Sequence, residues 1–219
     1  MKFTFVDGKN KTTIEKLDIK QNVTLLLGDG YLPPLNLDDE LSGVSNFIKA
    51  LCVLSRNFNN LILGATKIFC KSKTFWGTVV VDKGKFLGIS DMTHSIDGAY
   101  NESNSTRVFD TSLGRIGIVS GDDIYYFETS RILRLWECNM LVYAVRGALT
   151  HNLRVLIEAN AISNGVTAIG FGKDGFYSAY SKNTIKKGYD LYVVAKSSEI
   201  LLSHRKPQDY MELVKRPSL

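Results

Sequence analysis

The groups in this 219-residue chain that could do chemistry by type are three thiols, three imidazoles and two glycine-flanked runs. A thiolate or an activated hydroxyl attacks carbon, an imidazole moves a proton or holds a metal, and a glycine loop offers its N–H groups to phosphate. The thiols are Cys52, Cys70 and Cys138. They are few, scattered and odd in number, which fits neither a disulfide framework nor a zinc cluster and reads as reduced cysteine. Cys52 and Cys138 fall in helix-patterned segments, where a small packing residue is expected. Cys70 sits in KIFCKSK, where neighbouring lysines lower a thiol pKa, but no companion base is identifiable. His94, His151 and His204 are isolated, without a partner at i+2 or i+4, so they read as surface or capping residues. No metal and no cofactor are expected.

GFGKDG at 170–175 satisfies G-x-G-x-x-G after an apolar run. A dinucleotide loop must open a helix, whereas FYSAY at 176–180 has strand character, so a turn between two strands is expected. GIVSG at 117–121 is one residue out of register with the nucleophile elbow G-x-S-x-G, and Ser120 reads as a strand-end serine.

Short β-rich runs recur through the chain: KFTFV at 2–6, VTLLL at 23–27, LILGA at 61–65, FWGTVVV at 75–81, RIGIV at 115–119, MLVYAV at 140–145, VTAIGF at 166–171 and DLYVVA at 190–195. Several are apolar at consecutive positions, the pattern of strands buried on both faces. Between them, one helix is predicted from Asp38 with Leu41, Val44, Ile48 and Leu51 on one side and Asn36 or Asp38 as its cap. A second runs from Phe127 to Trp136, and a third from near Thr150 to Asn164 and Gly165, a pair suited to a left-handed cap. Doubly buried strands alternating with one-sided helices predict a layered α/β architecture, without saying whether one sheet or two lie in the middle.

The chain is 44% apolar, and no interruption resembles a linker, so residues 1–219 read as one domain. Lys and Arg number 27 against 22 Asp and Glu. The excess of +5 is spread thinly, apart from Lys186 with Lys187 and a basic tail from about 204. No dense basic stripe with interleaved aromatics stands out, which argues against nucleic acid as a partner. No apolar run approaches the roughly 20 residues of a membrane helix, and MKFTFVDGKNK lacks the hydrophobic stretch of a signal peptide. A cytoplasmic protein without a membrane partner is expected.

RVFDTSLGRIGIVSGDDIYYFETSRILRLWECNMLVYAV, from Arg107 to Val145, resembles the nucleophile region of the nitrilase or carbon-nitrogen hydrolase superfamily. That family writes it as a strand ending in G-x-x-x-C-x-D, then a Glu and a helix-borne Arg, and Gly117, Asp123, Glu128 and Arg131 match those positions. KFTFVD is similar to the first family strand, VTLLLGDGYLPP to the second, FWGTVVVDKGKFLGISDMTH to the strand pair before the family lysine, and HNLRVLIEANAISNGVTAIGFGKDG to its late helix and strand. The resemblance implies a four-layer αββα sandwich, dimerisation through helices beside the active site, and a Glu-Lys-Cys triad that hydrolyses amides or nitriles through a thioester.

Placed on this sequence, two members of that triad are missing and the third is altered. Four residues after Gly117 and two before Asp123 stands Gly121 where the family has its cysteine. The lysine position, two before the family histidine at His94, is Met92. The glutamate that closes the second strand is matched by Asp29 or by Gly30, and a further family glutamate by Glu102. Loss of the nucleophile from a cooperative triad costs on the order of a million-fold in turnover. The expectation is therefore a non-catalytic homodimer, acting by assembly or by binding an unidentified small molecule. Its pocket would be opened by a short segment between Asp7 and Val23 and lined by Asp29, Asp91, Glu102, Ser120, Asp122 and Asp123. The alternative is an amide or nitrile hydrolase with a relocated nucleophile, Ser120 or Cys70.

Overall fold

The computed structural model of the protein describes residues 2–9, 19–104, 106–179 and 190–192. Its elements are β1 (Lys2–Val6), β2 (Thr24–Leu27), β3 (Leu35–Asn36), α1 (Leu37–Ser42), α2 (Phe47–Phe58), β4 (Leu61–Cys70), β5 (Lys73–Asp82), β6 (Lys85–Asp91), β7 (Arg107–Thr111), β8 (Gly114–Ser120), α3 (Phe127–Leu135), β9 (Met140–Ala144), α4 (His151–Asn164), β10 (Thr167–Phe171), β11 (Phe176–Ala179) and β12 (Asp190–Tyr192). A 3-10 turn, Gly121–Tyr125, joins β8 to α3.

Among the described residues the strands form two sheets. The first runs β12-β1-β2-β4-β5-β6 with β3 beside β4, and the second runs β11-β10-β9-β8-β7. In each, parallel central pairs, β1 with β2 with β4 and β8 with β9 with β10, carry antiparallel strands outside them. Strand alternation sorts the apolar side chains into layers. Leu26, Leu61, Leu63, Trp76 and Val80 of the first sheet meet Ile116, Ile118, Met140, Val142 and Ile169 of the second in one buried cluster. The opposite face of the first sheet, with Leu25, Leu27, Ile62 and Val79, packs on Leu51 of α2. The opposite face of the second, with Val119, Leu141, Tyr143 and Ala168, packs on Leu133 of α3 and on Leu153, Ile157 and Ala161 of α4. The order is helix, sheet, sheet, helix: the αββα sandwich expected from the resemblance.

One predicted helix is two. Gly43, at φ +77, ends α1 in the left-handed region, and Asn36 caps its start by accepting from the Asp38 and Asp39 N–H groups. The Glu40 carboxylate then caps the second segment, accepting from Phe47 N at 2.9 Å and Ile48 N at 3.0 Å. The apolar spacing across the break was real, but Leu41 and Val44 point to solvent while Leu51 enters the core. The other two predicted helices form α3 and α4, the latter capped by Thr150 and ended by Gly165 at φ +62. GFGKDG forms the β10–β11 hairpin turn, closed by Gly172 N donating to Gly175 O at 2.9 Å. Lys186, Lys187, His204, most of the segment between Asp7 and Val23 and the basic tail lie outside the described residues. Among the described residues no helix is long and apolar enough to cross a membrane.

Candidate active-site region

The turn after β8 and the loop after β6 meet at one end of the space between the sheets, and Asp123 joins them. Its Oδ2 accepts from Thr93 N at 2.8 Å. Its Oδ1 accepts from Thr93 Oγ1 at 2.8 Å and His94 N at 2.9 Å, and lies 2.8 Å from His94 Nδ1. The carboxyl is almost fully buried, and burial pushes its pKa up while these hydrogen bonds pull it down. The His94 ring stacks on Tyr126, with centroids 3.9 Å apart. Gly117 anchors the other side: a Cβ there would stand 2.9 Å from Leu133 Cβ, so its bare backbone lets α3 close on β8. Gly117, Asp123 and His94 thus fix the relative position of residues 92 and 121.

Met92 and Gly121 are in contact there. Gly121 has φ +58, and a Cβ on it would lie 2.5 Å from Met92 Sδ and 2.7 Å from Trp76 Cδ1. Met92 is 0% exposed and Trp76 2%. The thioether also accepts a hydrogen bond, from Asp122 N at 3.1 Å. Trp76 Nε1 is buried without a hydrogen-bond partner among the described residues, and its ring meets Tyr100 edge-on at 5.9 Å. The volume into which a side chain at 121 would project is filled with sulfur and indole. The segment expected to open the pocket lies mostly outside the described residues, and what the described residues show is that Met92 and Trp76 fill the space at Gly121.

The loops around this region are tied to one another by charge. Arg146, just after β9, bridges Asp97 Oδ2 at 2.9 Å and Asp122 Oδ2 at 3.1 Å, with its guanidinium 5.3 Å from the Tyr100 ring centroid. Asp122 also accepts from Ile96 N at 3.1 Å. Asp29, in the loop after β2, accepts from Gly147 N at 2.6 Å, and burial raises its carboxyl pKa against that bond. Gly30, the other candidate for the glutamate position, has φ +86 and no side chain to offer. Glu102 is exposed and accepts from Ser95 N at 2.9 Å.

The structure therefore brings Asp122, Asp123 and Met92 together around Gly121, and Arg146 is the cation that serves the acidic side. Two expected pocket residues lie elsewhere. Ser120 points between the sheets, 1% exposed, donating to Ser90 O at 2.7 Å and 2.8 Å from Thr78 Oγ1. Asp91 projects from the opposite face of β6, where Ile89 joins the core under α2. Among the described residues no three His, Cys, Asp or Glu side chains gather as a metal-holding group.

No family model matches the chain, and no curated protein matches it in sequence. Solved structures do match in shape. A carbon-nitrogen hydrolase from Helicobacter pylori superposes with a TM-score of 0.63 at 18% identity, over 88% of this chain and 86% of that one. Nit3 of Saccharomyces cerevisiae, a member of branch 10 of the nitrilase superfamily, gives 0.60 at 13%, over 93% and 84%. A mutant amidase from Nesterenkonia sp., carrying the acetamide moiety of fluoroacetamide on its active site cysteine, gives 0.62 at 14%, over 87% and 83%. The fold is that of the nitrilase superfamily.

Within this nitrilase fold the thiols sit apart from Gly121. Cys138 is fully buried behind α3, and burial pushes its pKa to about 11. Cys52 lies on α2, on the far side of the first sheet, with its pKa also raised by burial. Cys70 ends β4 at a hairpin tip, three residue pairs beyond the Lys67–Trp76 pair. Trp76 and Arg146 are the residues that sequence reasoning passed over. Strand parity would have placed Trp76 between the sheets with Thr78 and Val80, but nothing local to Arg146 reveals partners 24 and 49 residues away.

Proposed function

We propose that this chain is a non-catalytic member of the carbon-nitrogen hydrolase superfamily, acting by ligand binding or assembly and not by turnover. The observation that supports this is the filled space at Gly121. A thioester needs a thiol where this chain has a glycine hydrogen, and a tetrahedral oxyanion needs a nearby positive charge where this chain has a thioether. The surrounding positions that orient such groups are occupied by Gly117, Asp123 and His94, so the framework persists while the reacting atoms do not. Neither relocated nucleophile is favoured by geometry: Ser120 is locked between buried oxygen partners and Cys70 stands at a hairpin tip.

Assembly is supported by the outer helical face. Ile132, Leu135 and Trp136 are exposed along one side of α3, and Val155 and Ile162, two turns apart, along α4. Phe127 is 67% exposed beside them. An apolar face of this kind is the mark of a surface that another chain covers, and the reading is a cytoplasmic homodimer paired through these helices.

Incubation with a panel of short amides and nitriles is expected to release no ammonia above a boiled control, and intact mass after fluoroacetamide is expected to show no adduct. Turnover abolished by Ser120→Ala or Cys70→Ala would overturn the proposal in favour of a relocated nucleophile. Sedimentation is expected at twice the 24.4 kDa chain mass, falling to a monomer in Trp136→Glu. A monomeric wild type would remove the assembly part.

A further inference from the structure

The first sheet ends at β6, and between that strand, α1 and the start of α2 lies a groove of about 580 Å³. We propose that this groove binds a small apolar amine, whose ammonium group donates to the carboxylate of Asp91. The groove is separate from the Gly121 region, and neither its binding nor its failure to bind bears on catalysis.

The placement of Asp91 follows from strand parity. Ser90 and Met92 face the second sheet, so Ile89 and Asp91 face the helix side. Opposite Asp91 in the ladder is Gly77, and a Cβ on Gly77 would stand 3.0 Å from Asp91 Oδ1. The missing side chain is what allows the carboxylate to lie across β5 at the groove floor. Among the described residues Asp91 makes no hydrogen bond and no ion pair, although it is half-buried. Burial accordingly raises its pKa, opposed only by the field of Arg107.

Other groups lining the groove select the ligand. Its second carboxylate, Glu40, is spent on the N–H groups of Phe47 and Ile48 and on Ser45 Oγ. Leu37, Leu41, Ile48, Phe86 and Ile89 supply apolar walls, and Lys49 and Arg107 add two cations to the lining, neither ion-paired with Asp91 among the described residues. The one carboxylate there without a hydrogen-bond partner suits a single ammonium bearing a hydrocarbon body, which must compete with the field of Arg107, whereas a divalent metal demands several oxygen ligands. The volume lies within the roughly 300–1,000 Å³ of small-molecule sites.

Calorimetric titration with 2-phenylethylamine, and with 2-phenylethanol as its neutral counterpart, tests this on the full chain. The amine is expected to bind at least tenfold more tightly than the alcohol, and Asp91→Asn is expected to erase that difference while melting at the wild-type temperature or above. Phe86→Ser should weaken amine binding without touching Asp91, a second readout should Asp91→Asn misfold. Absence of amine binding, or equal binding of amine and alcohol to the wild type, would overturn the proposal, the latter leaving a general apolar docking surface.

Discussion

Asp91 and Asp123 are both aspartates whose carboxyl pKa is raised by burial, and each lies beside a different end of the same short stretch of chain. Asp123 is surrounded by donors: two backbone N–H groups, a hydroxyl and an imidazole. Asp91 lies among apolar walls with Lys49 and Arg107 in the same lining, and has no hydrogen-bonding partner among the described residues. The same desolvation therefore has two meanings. Where donors compensate it, the acid is a fastener that holds the loop after β6 onto the turn after β8. Where no hydrogen-bond donor compensates it, the acid remains available to something that arrives from outside.

The largest effect expected from this contrast is on Asp123→Ala. It strands the Thr93 and His94 N–H groups in a half-buried place, and each orphaned group costs about 1–3 kcal/mol where water cannot replace the carboxylate. A loss of about 3 kcal/mol in urea unfolding is expected on that basis. A loss under about 0.5 kcal/mol, the scale of an uninvolved surface site, would erase the distinction between the two acids.

Gly121→Cys comes next. A side chain in the left-handed region costs about 1–2 kcal/mol, and overlap in a packed core typically adds about 1–3 kcal/mol. A thiol placed at 121 should on its own destabilise the chain by about 2 kcal/mol or more and bring no amidase activity. Met92→Ala in the same chain should recover part of that loss, because Met92 Sδ is the atom a Cβ would strike first. If Gly121→Cys is as stable as the wild type, the region is not packed shut.

Much of this arrangement was open to reading in the sequence, and the rest was not for identifiable reasons. Period-two and consecutive apolar runs located β1, β2, β8, β9 and β10, and capping chemistry located α4, because both signals are local. Two sheets instead of one could not be read that way: Leu25 and Leu26 are equally apolar, yet one faces α2 and the other faces the second sheet. The break at Gly43 was missed because the apolar spacing runs straight across it. Registering Gly117 and Asp123 leads to the expectation that Gly121 stands at the nucleophile position of the resembled family, but the packing at Gly121 could not be read that way, since Trp76 and Met92 lie 45 and 29 residues upstream. Asp91 was grouped with Asp122 and Asp123 although its neighbour Met92 was assigned to the triad. One step of strand parity separates them to opposite faces.

The smallest effect is also the sharpest, because its sign separates the two acids. A carboxyl whose pKa lies above the unfolded value binds more protons in the native state than in the unfolded state over the interval between the two values. Stability then falls as pH rises through that interval, and the whole penalty is present above it. For Asp91 the interval begins at 3.8 and extends upward. Asp91→Asn removes the charge, so it should stabilise the protein at pH 7 by about 0.5 kcal/mol, the scale of a partly exposed site. The gain should vanish below pH 3.8, where the wild-type carboxyl is protonated in both states. Asp123→Ala destabilises at pH 7, so the two substitutions should move in opposite directions in parallel urea titrations. If Asp91→Asn instead lowers stability at pH 7, the carboxylate is already satisfied by a donor in the folded chain. It would then be a second fastener, and an ammonium in the groove would gain little by meeting it.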